Sequence, residues 1–386
     1  MTARKSKICI TEISKRPICP KIVRSVRNII EREGYIDCNA EIREMKPHEG
    51  ILISLFFEVE ISGSTVQGSK KLNVFVKRLL PDQNMSLFDL PEAVRKEAFV
   101  YEELFKILAE AQDKADVPKE DRLITPKVYE TDAEYVMLEN LTKQGLTTLD
   151  RKDVITFEFA KLSIQALARF HAFSFILQER SPDYFKKKIM TLKLPMCIET
   201  WIGFARNMYN FAATCLENEV REKVDKYIPT SYEKYARYAE DPNMTRCMVH
   251  GDFKLVNIMY KMENNAITDL IPVDFQTIYY GCPIIDFLFF IFTGSDQEFR
   301  RNHLETLKDV YHDTMTNYLK YFNIDVNKYL SRADFEKMYR EKLDYGLMLG
   351  LWYIPMALAE DGDVGDITNM DLSSVQMKFT DAAKTR

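Results

Sequence analysis

The chain has 386 residues, of which 46% are hydrophobic and 29% charged, and its formal net charge is −5. This length exceeds that of one ordinary compact core, so two packed lobes are expected, and the composition excludes a disordered or disulfide-dense chain. The mildly negative charge, without a long basic block, argues against nucleic acid as a partner.

The cysteines and the apolar stretches indicate in which cellular compartment the chain is expected. The 7 cysteines are odd in number and form no Cys-x-x-Cys pair, so we expect no zinc site, no disulfide framework and a reducing, cytoplasmic location. The polar, basic segment 1–7 is not followed by the apolar region of a signal peptide. The apolar stretches 282–294 and 346–359 are interrupted by Asp286 and Pro355 and are shorter than the ~20 residues that span a bilayer. We therefore predict buried helices there and no membrane span.

The N-terminal part of the chain predicts a helix followed by a small sheet. Apolar residues at helical spacing end at Gly34, which is typical of an amphipathic helix with a C-terminal glycine. After Pro47 the sequence becomes rich in Ile, Leu, Val and Phe, and the polar stretch 62–69 is typical of the connection in a hairpin. The predicted elements are a helix at 18–33, strands at 51–61 and 71–80, a helix at 91–111, and strands at 128–130 and 134–138.

Helical patterns dominate beyond Asn140. The clearest helix has apolar residues at intervals of three and four, among them Phe157, Ala160 and Ile164. Helices are predicted at 156–178, 194–218, 231–239, 283–292, 300–321 and 332–359. We therefore expect an α+β fold with a small N-terminal lobe, residues 1–140, that carries an antiparallel sheet, and a large, mainly helical C-terminal lobe, residues 141–386.

Polar residues that suit phosphoryl transfer follow two predicted strands. Segment 249–260 has apolar or aromatic ends and polar residues between them, which predicts a catalytic loop containing Asp252 and Asn257, and the apolar run 270–273 leads to Asp274. The reaction needs a carboxylate to deprotonate the attacking hydroxyl and hard oxygen ligands for Mg²⁺. Asp252 fits the base, and Asn257 and Asp274 fit the metal ligands. The alternative is that such residues only hydrogen-bond a turn.

A kinase also needs a cation on the nucleotide phosphates and a carboxylate that holds this cation. Lys77, within a predicted strand, is the candidate cation, and Glu97 on the following helix is the candidate partner. Taken singly, each residue is an ordinary surface charge. Their order and spacing relative to Asp252 favour the kinase interpretation.

Three segments around these residues resemble the signature of the ecdysteroid kinase-like family of insects, also called the CHK kinase-like domain. The family is related to choline kinases and aminoglycoside phosphotransferases. The resembling segments are His250-Gly-Asp-Phe-Lys-Leu-Val-Asn257-Ile-Met-Tyr, Val273-Asp-Phe-Gln276 and Gly281-Cys-Pro-Ile-Ile-Asp286-Phe-Leu. Further similar segments are 137–141, Gly145, Asp150-Arg151 and 167–172, and the resemblance runs from about 50 to 359.

The resemblance implies a bilobal protein-kinase-like fold that uses ATP and Mg²⁺ to phosphorylate a hydroxyl of a small molecule, with ecdysteroids or xenobiotic metabolites as candidate acceptors. It also implies that 137–141 is the hinge between the lobes, where the backbone at Glu139 and Leu141 would meet the adenine. On the same pattern, Asp286 is structural and braces the catalytic loop, since a buried carboxylate must be paired or hydrogen-bonded.

The chain departs from the family pattern at three places, of which one is minor: Asn140 stands where the family commonly has Asp. The family usually has a Gly-Glu-Asn-Tyr-Ala-Ser-like turn over the phosphates, whereas residues 49–54 read Glu-Gly-Ile-Leu-Ile-Ser. Ser54 and nearby backbone N–H groups remain candidates for phosphate contact. Lys254 stands where the family commonly has Trp. Because Asp-x-Lys-x-x-Asn is also the protein-kinase arrangement, its ammonium is a candidate for contact with the transferred phosphate.

Several alternatives stay open. The altered 49–54 segment allows a pseudokinase-like binding or regulatory protein, and a choline- or aminoglycoside-type acceptor is a further possibility within the enzyme class. A protein substrate is disfavoured, since Asp274 is followed by Phe-Gln and no Ala-Pro-Glu segment occurs. His171 is expected to be a hydrogen-bonded core histidine. Trp352 and Tyr353 pack the core or line an acceptor pocket.

Overall fold

The computed structural model describes residues 8–45, 54–79, 89–194, 197–214 and 216–358. An N-terminal sheet is followed by a region in which helices dominate and two short β-ribbons are inserted. This arrangement agrees with the expected α+β class.

The N-terminal sheet has six strands in the order β1-β2-β3-β4-β6-β5. The strands are β1 Ile8–Ile13, β2 Tyr35–Glu44, β3 Ser54–Thr65, β4 Gly68–Leu79, β5 Val128–Thr131 and β6 Tyr135–Glu139. Neighbouring strands are antiparallel except β1, which runs parallel to β2. The sheet is therefore larger than predicted, because β1 and β2 were not recognised in the sequence.

The polar stretch 62–69 was wrongly predicted to be a connecting loop. The β3–β4 ladder continues until Thr65 faces Gly68, so the turn contains only Val66 and Gln67. This end of the hairpin is largely exposed and buries no apolar side chain on either face. Polar residues can therefore form this part of the two strands, and the alternation of apolar and polar residues that marks a half-buried strand is missing.

One face of the sheet is covered by α1 (Pro20–Arg32), which confirms the first predicted helix. Its apolar stripe, including Ile22, Val26 and Ile29, lies in one buried cluster with inward-facing residues of the strands. Gly34 follows the helix with φ +76°, a backbone conformation that glycine adopts without the penalty of a Cβ atom.

Between β4 and β5 the chain is helical, in agreement with the predicted 91–111 helix. It consists of α2 (Leu90–Phe99), a π-helical turn (Val100–Leu104) and α3 (Phe105–Lys114). Asp89 caps its start by accepting a hydrogen bond from the backbone N–H of Glu92 at 3.0 Å. The apolar residues of the π turn and of α3 lie in the same buried cluster as the C-terminal helices.

The C-terminal region contains eight helices among the described residues. They are α4 Phe157–Arg180, α5 Pro182–Tyr184, α6 Ile198–Ala213, α7 Asn218–Glu240, α8 Pro283–Gly294, α9 Gln297–Lys320, α10 Arg332–Lys342 and α11 Asp344–Leu358. The helix predicted at 231–239 is the end of the longer α7. The helix predicted at 332–359 is two helices, since the chain turns at Leu343 between α10 and α11.

Two β-ribbons lie between α7 and α8 and frame the predicted catalytic loop. Strands β7 (Cys247–Val249) and β10 (Tyr279–Gly281) pair with each other, as do β8 (Ile258–Glu263) and β9 (Ala266–Pro272). The predicted loop thus leaves β7 and enters β8, and Asp274 follows the end of β9. Almost every residue of α8 is buried, as expected from its apolar sequence. Within the described ranges, no helix is both long and apolar enough to cross a membrane.

Candidate active site

The loop formed by residues 250–257 begins with a glycine whose position permits no side chain. Gly251 has φ +79°, and a Cβ atom there would lie 2.5 Å from the backbone oxygen of Thr277. The hydroxyl of Thr277 also donates a hydrogen bond to the His250 backbone oxygen at 2.9 Å. The loop therefore packs directly on the segment that follows Asp274.

Asp286, near the start of α8, holds the beginning of this loop. Its carboxylate accepts hydrogen bonds from the backbone N–H groups of His250 at 2.5 Å and Gly251 at 2.9 Å. The side chain is fully buried, and it also bonds His171 Nε2 at 3.1 Å. Because a carboxylate only accepts, His171 must carry its proton on Nε2, and Nδ1 then accepts from the Tyr311 hydroxyl at 2.7 Å. The expected bracing contact of Asp286 and the core position of His171 are both observed.

His250 links the loop to the segment that carries Asp274. Its Nε2 donates to the Val273 backbone oxygen at 3.0 Å, and its Nδ1 accepts from the Asp252 backbone N–H at 3.4 Å. The two nitrogens of one buried ring thus bond the Asp252 backbone N–H and the backbone oxygen of Val273, the residue before Asp274. His250 therefore braces the loop against the segment that follows β9.

Asp252 contacts both of the other polar side chains predicted in the loop. Asn257 Nδ2 donates to the Asp252 backbone oxygen at 2.9 Å and to Asp252 Oδ2 at 3.0 Å. Lys254 Nζ lies 2.8 Å from the same Oδ2. Neither contact uses Asp252 Oδ1. Burial raises the pKa of Asp252 above its ordinary value, although the Lys254 ammonium partly offsets this effect.

Asp274 has a left-handed backbone, with φ +68°, which is uncommon for a residue other than glycine. Its backbone N–H donates to the Tyr101 hydroxyl at 3.2 Å, and its Oδ1 lies 2.5 Å from Lys77 Nζ. Burial by itself would raise the pKa of Asp274, but Lys77 and then Lys254 lower it below the ordinary value. Unfavourable backbone geometry of this kind is concentrated at functional sites.

Lys77 joins Asp274 to Glu97, the partner predicted from the sequence. Lys77 Nζ lies 2.8 Å from Glu97 Oε2, and the two side chains are only 12% and 3% exposed. Burial opposes the charge on Lys77, but Asp274 and Glu97 together raise its pKa. Burial raises the pKa of Glu97, and the Lys77 ammonium counteracts that rise. The structure therefore brings all three predicted residues into one ion cluster, in which Glu97 is buried and Lys77 and Asp274 are partly buried.

Ser54, the predicted phosphate-contacting residue, lies near the start of β3 and is buried. Phe56 faces Lys77 across the β3–β4 ladder, and Ser54 is two residues before Phe56. Directly opposed residues and residues two apart share one face of a sheet, so Ser54 is on the Lys77 face. The rest of the unusual turn, residues 49–53, lies outside the described residues.

The predicted hinge, residues 137–141, spans the end of β6, where Glu139 has a bracing role. Its carboxylate accepts from the Lys127 backbone N–H and from Gln144 Nε2, both at 2.7 Å, and its own N–H donates to the Lys127 oxygen at 2.8 Å. Leu141 begins a 3₁₀ turn that Asn140 caps through the backbone N–H of Lys143. Backbone N–H groups at such a start lack an acceptor within the helix, which leaves Leu141 the better donor for a ligand.

These residues lie within a segment that matches a known family. The model of the ecdysteroid kinase-like family matches residues 51–324. The chain belongs to the ecdysteroid kinase-like family. This membership confirms the resemblance described above, the kinase-like fold and the expected class of enzyme, a phosphotransferase that acts on hydroxyl groups of small molecules. No curated protein matches the chain at a significant level.

Solved structures similar to this ecdysteroid kinase-like chain include kinases of small molecules. Ethanolamine kinase from Plasmodium vivax is 11% identical with a TM-score of 0.40, and the match covers 86% of this chain and 79% of that one. Choline kinase LicA from Streptococcus pneumoniae is 14% identical with a TM-score of 0.36, covering 85% and 94%. Aminoglycoside phosphotransferase APH(3'')-Id from Streptomyces rimosus is 15% identical with a TM-score of 0.34, covering 69% and 88%. Because these scores are below 0.5, no conclusion rests on them.

The donor set of the ecdysteroid kinase-like chain fits a magnesium ion that also binds substrate phosphates. Asn257 directs its Nδ2 toward Asp252, so its oxygen lies at the other end of the amide, and Asp274 Oδ2 is not used by Lys77. Carboxylate and amide oxygens are preferred Mg²⁺ ligands, and one or two of them suffice when phosphates complete the shell. No cluster of three His, Cys, Asp or Glu side chains that could hold a metal occurs in the part of the chain that the structure describes.

Three side-chain contacts at this site were not predicted from the sequence of the ecdysteroid kinase-like chain, and one of them is made by Tyr353, which was expected only to pack the core or line an acceptor pocket. Tyr101 bonds Asp274, Gln276 Oε1 accepts from Lys77 Nζ at 3.2 Å, and the ring of Tyr353 lies 5.6 Å from Lys254 Nζ. Gln276 could have been found from its place two residues after Asp274. The other two are remote in sequence, and only tertiary packing brings them to the site.

Proposed function

We propose that this ecdysteroid kinase-like chain transfers the γ-phosphoryl group of ATP to a hydroxyl of a small lipophilic molecule, in a reaction that requires Mg²⁺. An ecdysteroid or a xenobiotic metabolite is the acceptor we favour. The observation that carries the proposal is the ion cluster in which Lys77 Nζ lies 2.8 Å from Glu97 and 2.5 Å from Asp274. Residues 1–140 would form the nucleotide-binding lobe, and residues 141–386 the catalytic and acceptor-binding lobe.

The nucleotide would bind between the sheet and the loop 250–257. Lys77 supplies the ammonium for the phosphates, and Ser54 lies on the same face of the sheet. The adenine would meet the backbone near Glu139 and Leu141. Because the Glu139 N–H is bonded to the Lys127 oxygen, we assign the donor to Leu141. Adenine presents both a donor and an acceptor on one edge, so a backbone hinge suits it.

Asp252 would act as the base. It accepts the proton of the acceptor hydroxyl while the hydroxyl oxygen forms a bond to the γ-phosphorus. The bond between this phosphorus and the β–γ bridging oxygen breaks, and ADP leaves with that electron pair. The raised pKa of Asp252 supports this role, because a base with a higher pKa holds the transferred proton more readily.

Lys254 and the metal ligands would stabilise charge during transfer. Lys254 Nζ contacts only one oxygen of Asp252, so its other N–H groups can face the phosphoryl group. Magnesium bound at Asn257 and Asp274 would neutralise negative charge on the phosphates. If Asp274 binds the metal in place of Lys77, the Lys77 ammonium would still be paired with Glu97.

We place the lipophilic acceptor against an aromatic wall in which two rings are buried and Trp352 is partly exposed. We define the wall as Trp201, Phe204 and Trp352, whose rings meet edge to face at 6.0 Å and 6.3 Å. It begins beside the catalytic loop, since the neighbouring Tyr353 approaches Lys254. Aromatic surfaces bind flat apolar ligands and also quaternary cations. The ammonium of Lys254 beside this wall disfavours a cationic acceptor.

The test is a phosphotransfer screen of the purified protein with ATP and Mg²⁺. Ecdysteroids, plant sterols, glucosides and amino alcohols are offered, and products are detected by mass. We expect a lipophilic alcohol to gain one phosphoryl group, and Asp252→Asn to lower the rate at least ~100-fold. Phosphorylation of amino alcohols alone would reject the acceptor class, and an Asp252→Asn variant as fast as the wild type would reject the base.

Calorimetry separates the enzyme from a pseudokinase-like binding protein. We expect Mg²⁺-dependent ATP binding that Lys77→Met weakens. A matched control is Lys71→Met, because Lys71 lies on the same strand with an exposed side chain and forms an ion pair with Glu60 at the surface. Absence of ATP binding at millimolar concentration would favour the binding-protein alternative.

A further inference from the structure

Lys254 contacts a carboxylate and an aromatic ring. Its Nζ lies 2.8 Å from Asp252 Oδ2 and 5.6 Å from the centroid of the Tyr353 ring. The Lys254 side chain is 21% exposed. A cation at this distance from an aromatic face is attracted by the ring, and more strongly where water is largely excluded.

The Tyr353 ring is itself fixed in place. It belongs to α11 and is buried, and it packs edge to face against Phe289 of α8 at 5.2 Å and against Trp352 at 5.7 Å. Burial raises the pKa of its hydroxyl, with Lys254 acting in the opposite direction. The ring therefore stays neutral and presents a rigid surface to the lysine.

The contact with Tyr353 restricts the positions that the flexible Lys254 side chain can adopt. Four rotatable bonds give an ammonium many positions, and an ion pair to Asp252 alone would draw it onto the carboxylate that must accept a proton. The Tyr353 ring gives the ammonium a second attractive contact besides Asp252. Because the ring attracts the ammonium without accepting a conventional hydrogen bond, the Lys254 N–H groups that do not face Asp252 stay available for the phosphoryl group.

We propose that Tyr353 is a positioning residue that sets the rotamer of Lys254 and so couples the aromatic wall to the catalytic loop. The catalytic consequence rests on the proposed function, whereas the position of the ammonium does not. An acceptor that packs on Trp352 would press on Tyr353 and, through it, on Lys254. Occupancy of the wall would thus be transmitted to the residue beside the base.

The position of the ammonium is tested without any activity. Lysines are dimethylated with ¹³C-formaldehyde, which keeps their charge, and their methyl signals are recorded by NMR. The Lys254 signal is assigned from its absence in Lys254→Arg. We expect it to be shifted upfield by the ring in the wild type and in Tyr353→Phe, and to lose this shift in Tyr353→Leu. Lys328, 5.5 Å from the Tyr329 ring, is the internal reference that should not move.

A signal of Lys254 that is the same in Tyr353→Leu and in the wild type would overturn the proposal. If Tyr353→Leu does not fold, as judged by circular dichroism, Tyr353→Met replaces it, since its flexible side chain fills irregular space. Because this measurement needs neither ATP nor an acceptor, its failure is distinct from failure of the proposed function.

The catalytic consequence is tested with a double-mutant cycle on the acceptor found in the screen. We expect Tyr353→Leu to lower kcat about 10-fold, with the KM for ATP unchanged and with Tyr353→Phe restoring most of the rate. In the Lys254→Met background, Tyr353→Leu should have less than a ~2-fold further effect. Fully additive losses would show that Tyr353 does not act through Lys254.

Discussion

Lys77 Nζ lies 2.5 Å from Asp274 Oδ1, although the two residues are 197 positions apart in the chain. The contact joins a strand of the N-terminal sheet to the segment after β9, and Glu97 completes it from α2. Removal of one partner of a buried ion pair strongly destabilises a fold, because the charge of the other partner is left uncompensated.

We therefore expect Lys77→Met to destabilise the fold by about 3 to 5 kcal/mol, measured by urea unfolding. Asp274 and Glu97 would then lie close together without their shared cation. The double variant Lys77→Met with Glu97→Gln should lose less stability than the sum of the single variants, since one buried charge is removed with its partner. Additive losses would show that the two side chains do not depend on each other.

The Gly251→Ala substitution should be severe. The Cβ atom would lie 2.5 Å from the Thr277 oxygen, and the left-handed backbone adds about 1 to 2 kcal/mol for a residue with a side chain. We expect a lower melting temperature and loss of phosphotransfer. Gly203→Ala is the matched control: nothing lies within 4 Å of its Cβ position on α6, so it should stabilise the helix slightly. Equal effects of the two variants would contradict this account.

Asp286→Asn tests the brace of the catalytic loop. An amide has one oxygen, so its NH₂ group would face a backbone N–H or His171 Nε2–H in place of an acceptor. We expect a loss of about 3 kcal/mol in the free energy of unfolding. Tyr311→Phe, which removes only the outermost bond of the chain of hydrogen bonds, should cost about 1 kcal/mol. The reverse order of the two losses would be incompatible with Asp286 as the central acceptor.

Lys96 gives a prediction for pH. It is buried on α2, donates to the Lys193 backbone oxygen, and burial lowers its pKa to about 8 against weaker opposition from Glu92 and Asp89. The protonated lysine is therefore less favourable in the folded than in the unfolded chain below about pH 8, and this penalty disappears as the pH rises toward ~10.4, the unfolded value.

Lys96→Met has no such titration. The melting temperature of this variant minus that of the wild type should therefore fall between pH 7 and pH 10, whatever its starting value. Lys71→Met, at an exposed site, is the control and should show a flat difference. A difference that rises with pH would mean that the folded state raises the pKa of Lys96.

Ligands should stabilise the chain in a metal-dependent way. With ATP at about 100 times its Kd, the folded state gains about 2.7 kcal/mol, seen as a higher melting temperature, and EDTA should remove the Mg²⁺-dependent part. Asn257→Ala and Asp274→Asn should lack that part. Glu263→Gln, an exposed carboxylate at the end of β8, should keep it. Retention of the full Mg²⁺ effect in Asp274→Asn would reject Asp274 as a ligand.

Much of the candidate site could be predicted because its residues lie in short segments with strong local patterns. Asp252 and Asn257 share one loop, and Asp274 ends an apolar strand, so sequence order alone places them near each other. Lys77 and Glu97 belong to a strand and the next helix. Their roles remain proposals, but the expected contact between Lys77 and Glu97 is present.

The parts that escaped prediction depend on packing between distant segments. β1 is an edge strand with mostly exposed residues, so it lacks the alternation that marks a half-buried strand. The polar end of the β3–β4 hairpin was not recognised as strand for the same reason. Tyr353 reaches Lys254 only because α11 packs on α8, and no local pattern records that contact.

The π-helical turn after α2 has a consequence for motion. Tyr101 in this turn and Phe105 just beyond it hold Phe275 edge to face at 5.9 Å and 5.0 Å, and Phe275 directly follows Asp274. The helix that carries Glu97 is thereby tied to the same body as Asp274. Lys77 is the one member of this ion cluster that comes from the sheet. Any displacement of the sheet relative to this segment would therefore break both of its ion pairs at once and leave the two carboxylates without their shared cation.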